Sequence, residues 1–255
     1  MDYKLVGTTM EVCIDSVESA VNAEMGGANR LELCACLGEG GTTPTLGMLR
    51  IVKKSTKLPV FVMIRPRGGD FLYSNNEFRI MKEDIRILKE GGSDGFVFGI
   101  LTPEGCIDAK RVEELISLSR PLPVTFHRAF DMIKEPSDCL ETLIQLGVDR
   151  LLTSGCEQNA FKGAPLIKSL VKQANGQISI MPGGGITEDN LEQILTETGV
   201  NEFHCSARVS VESRMVYRNE QVCMGTSHGS SEFSLKTTGV DRVKRLVAIA
   251  SHGTR

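Results

Sequence analysis

Short apolar runs alternate with longer amphipathic segments along the chain, and each kind of segment occurs eight times. A chain in which strands and helices alternate builds a parallel sheet, and eight such units close into a (β/α)8 TIM barrel. The length of 255 residues suits one such barrel, so we expect a single α/β domain over residues 1–255. The predicted strands are residues 10–13, 30–34, 59–65, 95–99, 123–128, 150–154, 178–182 and 202–206.

Polar caps and glycines mark where the helices begin and end. Ser16 precedes the first helical segment, which stops at Gly26, as expected for a serine N-cap and a glycine terminus. The same kind of signal predicts that the seventh helix opens at Thr187 and that a last helix covers about 240–251. Before that helix, an insertion at about 209–238 is rich in Ser, Gly and Met without a clear period. Such an insertion is either disordered or has a specific use, for which an interface or a lid over the barrel mouth are the candidates.

Composition and charge exclude several classes of protein. The formal net charge is -3 and no basic run stands out, so nucleic acid and anionic membranes are poor partners. No stretch is long and apolar enough to predict a membrane span. The eight cysteines include no CxxC pair, and a core of this size needs no disulfides. We therefore expect reduced thiols that pack as small hydrophobes, above all for Cys106, Cys139, Cys156 and Cys223.

Ionisable side chains cluster near the carboxyl ends of the predicted strands. Because side chains alternate across a strand, residues two apart share a face, and these faces can point into the barrel mouth. One interpretation is that these residues form ion pairs in the barrel core. The other is a functional site, which we favour because so many buried charges are costly unless they are paired or used. The residues concerned are Glu11, Cys13, Asp15, Glu32, Cys34, Arg65, Arg67, His127, His204 and Ser206. Among them, the catalytic candidates are Glu11, Glu32, Arg65, Arg67 and His127.

Two of these residues, Cys13 and Cys34, predict a metal site. Each follows an inward glutamate by two residues, so the thiols occupy matching positions on neighbouring predicted strands. Such strands lie about 4.8 Å apart, which two metal–thiolate bonds of about 2.3 Å nearly span. Two thiolates without a third soft ligand suit a soft ion of low coordination number, with Cu(I) as the leading candidate. The alternative is that the two cysteines simply pack.

A glycine-rich turn after the seventh strand predicts an anion site. Gly183, Gly184 and Gly185 let the backbone approach an anion closely, and Ser206 and Arg208 follow the eighth strand. In many barrels, the loops after strands seven and eight bind phosphate. The alternative is a plain turn from strand to helix.

A third motif surrounds His127. The imidazole lies at a predicted strand end, with Arg128 and Asp131 in the loop that follows. This arrangement could supply an acid–base group and its partners. A satisfied core histidine is an equally good interpretation.

Taken together, these segments resemble the CutC family of copper homeostasis proteins, in its animal form above all. The most specific matches are FVMIRPRGGDF at 61–71, TFHRAFD at 125–131, MPGGGIT at 181–187 and EFHCSAR at 202–208. The resemblance covers nearly the whole chain and implies a TIM barrel, a cytoplasmic location with the nucleus as a second one, and a homotetramer. It also implies one Cu(I) per subunit, held by two cysteines that match Cys13 and Cys34.

These residues are compatible with two functions. The first is a protein that binds Cu(I) and buffers or carries copper in the cytosol. The second is an enzyme that acts on a small anionic or phosphorylated metabolite at the barrel mouth. The glycine turn and Arg208 would hold the anion, while the catalytic candidates would supply acid, base and charge stabilisation.

Overall fold

Eight parallel strands form one sheet in the computed structural model, which describes residues 7–219, 221–222 and 232–252. The strand order is β7-β6-β5-β4-β3-β2-β1-β8. A parallel bridge between Gly183 and His204 joins the two end strands, so the barrel is nearly closed. This confirms the predicted (β/α)8 architecture. The strands are β1 (Thr9–Ile14), β2 (Arg30–Leu33), β3 (Val60–Met63), β4 (Gly95–Phe98), β5 (Val124–Phe126), β6 (Arg150–Thr153), β7 (Ser179–Pro182) and β8 (Glu202–Cys205).

A helix follows each strand along the described chain. The side chain of Ser16 caps the first helix, and Gly27 ends it in the left-handed conformation with a φ of 94°, which glycine adopts readily. The predicted serine N-cap and glycine terminus of the first helix are therefore confirmed. The helices are α1 (Val17–Gly26), α2 (Leu46–Ser55), α3 (Asn75–Glu90), α4 (Ala109–Ser119), α5 (Pro136–Gln145), α6 (Ala164–Ala174), α7 (Leu191–Thr198) and α8 (Val240–His252).

The two faces of the strands differ in chemistry. The outward side chains are apolar and fully buried against the helices, as Val12, Leu31 and Phe126 illustrate. The inward faces carry charged side chains such as Glu11 and Arg30, which are also buried. Barrel interiors usually consist of branched apolar side chains, so this polar interior points to a specific use.

The predicted insertion contains a two-stranded antiparallel ribbon of β9 (Arg208–Glu212) and β10 (Ser234–Thr238). Asn22 Nδ2 of α1 donates to the carbonyl oxygen of Thr238 at 2.9 Å, which fastens the ribbon to the barrel. Residue 220 and residues 223–231, with Cys223, lie outside the described part of the chain. Among the helices of the described part, none has the length and apolarity needed to cross a membrane.

Candidate metal centre at the barrel mouth

Four charged side chains occupy the barrel interior near the amino-terminal ends of the strands. Arg30 contacts Glu11 and also donates to Glu202 Oε2 at 2.6 Å. Arg150 Nε donates to the same Glu202 oxygen at 2.6 Å. The ring of Phe61 lies 5.1 Å from Cζ of Arg30 and 5.5 Å from Cζ of Arg150. Sequence reasoning singled out only Glu11 of this network, and the structure places it in an ion pair of the barrel core.

His204 connects this network to the barrel mouth. Its Nδ1 donates to Glu11 Oε1 at 2.8 Å, and its Nε2 lies 3.7 Å from Glu32 Oε2. Burial opposes a charge on the ring, but Cys13, Glu32 and Glu11 outweigh it and raise the pKa of His204 well above its usual range. Burial also opposes a charge on Glu11, but Arg30 and His204 lower the pKa of that carboxyl to about 2. The pair is therefore an imidazolium held by a carboxylate.

Cys13, Glu32 and His204 form a group of metal-ligand type at the mouth. One ligand atom of each residue, a sulfur, a carboxylate oxygen and an imidazole nitrogen, lies within 4.8 Å of the other two. The three residues come from β1, β2 and β8, which are neighbours in the sheet. A thiolate suits copper or zinc better than calcium or magnesium, and the imidazolium of His204 could ligate such an ion only after losing its Nε2 proton.

Cys34 lies beside this group rather than level with Cys13. The ladder pairs Cys13 with Glu32, so Cys34 is one inward position further along the chain. The prediction that the two cysteines occupy matching positions was wrong, because the strands of a barrel are staggered. Cys34 Sγ nevertheless donates to Glu32 Oε2 at 3.4 Å. Both thiols therefore adjoin the carboxylate of Glu32.

The surroundings of Cys34 are tightly packed. Its side chain is 1% exposed and lies among Phe61, Met63 and Val97. A methyl group at Gly41 would come within 3.0 Å of Cys34 Sγ, so the glycine allows the loop after β2 to close over the thiol. Burial, with the charge of Glu32, raises the pKa of the Cys34 thiol well above its usual range. Cys34 is therefore a protonated thiol at neutral pH.

A cavity of about 580 Å³ opens above the group. The predicted site residues that line it are Cys13, Glu32, Arg65, His127, Gly184, Gly185, Ser206 and Arg208. The predicted site residues outside its lining are Glu11, Cys34, Arg67 and Gly183. An ion or small molecule that enters from this side reaches Cys13 before Cys34.

Arg65 is buried in the cavity wall and holds two loops together. Its guanidinium group donates to three loop carbonyl oxygens at 2.8 Å each, those of Glu39, Gly41 and Gly69. The first two belong to the loop after β2 and the third to the loop after β3. Arg65 thus shapes the mouth as well as lining it.

Arg67 lies in the loop before α3 and does not join the other candidates. Its Nε donates to Glu77 Oε1 at 2.5 Å, and its Nη2 donates to Asp70 Oδ1 at 2.9 Å. Glu77 also belongs to the capping box with Ser74 that opens α3. The structure therefore gives Arg67 a role in ordering this loop.

His127 lies in the cavity wall with a defined tautomer. Its Nδ1 accepts a hydrogen bond from the backbone N–H of Ala129 at 3.2 Å, so the ring carries its proton on Nε2. Burial and the positive charge of Arg65 lower the pKa of His127 to about 3, which keeps the ring neutral. The predicted partners Arg128 and Asp131 pair with each other instead, at 2.7 Å.

The three glycines of the predicted anion site have separate roles. A methyl group at Gly183 would lie 2.5 Å from Leu152 Cδ1, so this glycine is needed for packing. Gly184 and Gly185 have left-handed φ values of 96° and 72° and line the cavity. The guanidinium group of Arg128 lies against Gly184, where a methyl group would come within 3.1 Å of its Cζ.

The rest of the predicted anion site is only partly assembled. Ser206 and Arg208 line the cavity, but Arg208 already contacts the carboxylate of Asp15. The prediction that a helix opens at Thr187 was wrong, because α7 begins at Leu191. The side chain of Asn190 accepts from the N–H of Thr187, which completes a turn before the helix. A helix N-terminus therefore does not lie directly beside the glycines.

The sequence profile of the CutC family matches residues 8–209. The chain belongs to the CutC family. It is 59% identical to the human copper homeostasis protein cutC homolog over 246 residues, 96% of this chain and 90% of that protein. The mouse homolog is 60% identical over 244 residues, with the same coverage of 96% and 90%.

Solved structures agree with the barrel fold, and one of them also agrees with the family. A protein from Streptococcus agalactiae, described as a copper homeostasis protein CutC, is 37% identical with a TM-score of 0.75, and covers 78% of this chain and 98% of its own. A thiamine phosphate pyrophosphorylase from Pyrococcus furiosus is 17% identical with a TM-score of 0.60, and covers 96% of both chains. At that identity, the likeness shows the barrel fold alone.

In this CutC chain, sequence reasoning placed His204 at the barrel mouth but did not identify it as part of the group with Cys13 and Glu32. Its strand was correctly predicted and its inward direction was expected, but no role was assigned to it. The available signal was that His204 lies two residues after Glu202 on β8, so the two side chains share a face. Barrel closure brings β8 beside β1, and hence brings His204 beside Glu11 and Cys13. Register across this junction cannot be read from either strand by itself.

Proposed function

We propose that this CutC-family chain binds one Cu(I) per subunit through Cys13 and Cys34 and buffers or carries copper. The observation that carries the proposal is that both thiols adjoin Glu32 at the barrel mouth, with His204 beside them. The human and mouse relatives are named copper homeostasis proteins, which supports copper as the metal. Thiolates are ligands that Cu(I) prefers over harder cations.

The residues present fit a soft cation. When Cu(I) binds, the thiol protons must leave, because thiolates are the metal ligands. Cys13 lines the cavity, so it would receive the ion, while the buried Cys34 would complete the pair. One Cu(I) and two thiolates carry a net negative charge, which the imidazolium of His204 beside Cys13 would compensate. Glu11 would keep the imidazole in place through its hydrogen bond to Nδ1.

Location in a reducing compartment belongs to the same proposal. The seven cysteines of the described part are all free thiols, as suits a protein of the cytoplasm or nucleus. We also include a homotetramer. It is supported by the apolar pair of Val211 and Leu235, which face each other across the β9–β10 ribbon and are 42% and 57% exposed.

The test is an anaerobic Cu(I) competition titration with the wild type and a Cys13→Ser/Cys34→Ser double variant. The proposal expects one Cu(I) per wild-type subunit and a loss of affinity of about a hundredfold or more in the double variant. A Cys36→Ser variant is the matched control, because this thiol is only two residues from Cys34 but exposed, outside the group. Equal affinity of the double variant and the wild type would reject the proposal.

A further inference from the structure

Four guanidinium groups line the cavity, and three of them are neutralised by a carboxylate. These three pairs are Arg128 with Asp131, Arg208 with Asp15, and Arg242 with Glu188. Arg65 differs from them, because it forms no ion pair with any residue in the described ranges. The cavity wall therefore contains one cation whose charge is not balanced by a contacting carboxylate.

Burial makes this imbalance significant. Arg65 is 5% exposed, so water screens its charge poorly. The three carbonyl oxygens that it contacts accept hydrogen bonds but carry no net charge. Its Nε has no hydrogen-bond partner within bonding distance among the described residues, and the nearby hydroxyl of Tyr73 is neutral and cannot balance the charge. A buried charge is costly unless it is paired, so a counter-anion at this point would be strongly favoured.

A second buried donor lies in the same wall. His127 is 3% exposed, and its protonated Nε2 has no hydrogen-bond partner in the described part of the chain. Because Nδ1 already accepts from Ala129, the ring can offer only a donor at Nε2. Burial and Arg65 hold the pKa of His127 near 3, so the ring remains a neutral donor at physiological pH.

The two donors meet at one aromatic ring. Cζ of Arg65 lies 5.0 Å from the ring centroid of Phe71, and the centroid of the His127 ring also lies 5.0 Å from that of Phe71. Phe71 is half-buried and lines the cavity. It follows β3 in the same loop as Gly69, to whose carbonyl Arg65 donates. Arg65, His127 and Phe71 therefore form one continuous stretch of the cavity wall.

We propose that the cavity binds a small organic monocarboxylate against Arg65 and His127. One carboxylate oxygen takes the Nε2–H of His127, and the carboxylate charge neutralises Arg65. Cys13 and Cys34 take no part, so this inference is independent of the proposed copper site.

Charge and size select this class of ligand. A single unpaired positive charge matches a monocarboxylate. A phosphate dianion would bring a second negative charge, and the other three arginines of the cavity are already neutralised by carboxylates. The volume of about 580 Å³ lies in the range of sites for small organic molecules and is far larger than one metal ion requires. Apolar side chains of Leu37, Met63 and Leu152 complete the wall and suit the carbon skeleton of a metabolite.

The test is an NMR titration of copper-free, reduced protein labelled with ¹⁵N-histidine. The sequence has only four histidines, and a His127→Phe variant assigns the His127 signal. The probes are acetate, pyruvate and inorganic phosphate. The proposal expects a saturable shift of His127 Nε2 with acetate or pyruvate, and at least about tenfold weaker binding of phosphate. No saturable shift with either carboxylate, a shift at other histidines only, or equal binding of phosphate would overturn it.

Two variants extend the test. Arg65→Gln is expected to weaken carboxylate binding at least about tenfold, while Arg128→Gln, a change to a paired arginine of the same wall, leaves it within about twofold. Because Arg65 holds two loops, circular dichroism first checks that the variant folds. If Arg65→Gln does not fold, calorimetry on His127→Phe provides the test, and we expect this variant to bind the carboxylate several-fold more weakly than the wild type. Wild-type affinity in a folded Arg65→Gln or His127→Phe protein would contradict the proposal.

Discussion

The carboxylate of Glu11 accepts a hydrogen bond from Nδ1 of His204 at 2.8 Å, across the junction between β1 and β8. The same carboxylate contacts Arg30. Glu11 therefore joins the buried charge network of the barrel interior to the thiol group at the mouth. Its burial is complete, so its charge is balanced by these two partners rather than by water.

Replacing Glu11 by glutamine is expected to destabilise the fold by about 3–5 kcal/mol, because Arg30 and His204 would lose a buried counter-charge. Urea unfolding monitored by circular dichroism measures this loss. Asp70→Asn is the control, since Asp70 pairs with Arg67 but its side chain is 71% exposed, and it should cost about 0–1 kcal/mol. Similar losses in the two variants would contradict the account of a buried network.

Acid should weaken the fold through His127. The pKa of this ring is lowered from 6.5 to about 3, so the unfolded chain binds a proton that the folded chain resists. The stability that depends on the neutral His127 ring is fully present above pH 6.5 and is lost as the pH falls from 6.5 towards about 3. The free energy of unfolding, measured in urea across this pH range, should depend less steeply on pH in His127→Phe than in the wild type. Equal slopes would show that the ring titrates normally in the folded protein.

Gly99 sets the position of His127. A methyl group at Gly99 would lie 2.6 Å from Nδ1 of the ring and 3.0 Å from Cβ of Ala129. Gly99→Ala should therefore cost about 1–3 kcal/mol through overpacking and should move the ¹⁵N signal of His127. Gly38→Ala is the control, because a methyl group there meets nothing within 4 Å. An unchanged His127 signal in Gly99→Ala would contradict the packing described for this ring.

Copper affinity should rise with pH. Burial raises the pKa of Cys34 well above its usual range, so the thiol is protonated until Cu(I) displaces the proton. Each proton released makes the apparent affinity about tenfold tighter per pH unit below that pKa. Competition titrations from about pH 6 to about pH 8, corrected for protonation of the competing chelator, measure this slope. An affinity independent of pH would mean that the thiols are not the ligands.

The barrel could be predicted from the sequence because its signals are local. Alternating runs mark the strands, and caps such as Thr45 and Asp108 mark where α2 and α4 begin. Glycine turns mark the ends of helices in the same way, as at Gly91 after α3. The inward direction of Glu11 and Cys13 also follows from strand alternation alone.

Other features of the site depend on contacts between distant parts of the chain. The pairing of Cys13 with Glu32 follows from barrel stagger, which neither strand encodes alone. Arg67 turns away from the cavity because Glu77 of α3 pairs with it, and this partner lies ten residues further along the chain. Arg30 was not predicted as part of the charge network, because its partners Glu11 and Glu202 come together only when the barrel closes.

The most direct test of the copper site is X-ray absorption at the copper edge on protein loaded anaerobically with one equivalent of Cu(I). We expect a shell of two sulfur atoms around the metal in the wild type and in Cys36→Ser. In Cys34→Ser, this shell should lose one sulfur atom. A copper ion surrounded only by nitrogen and oxygen, or a two-sulfur shell that persists in Cys34→Ser, would contradict a site built from Cys13 and Cys34.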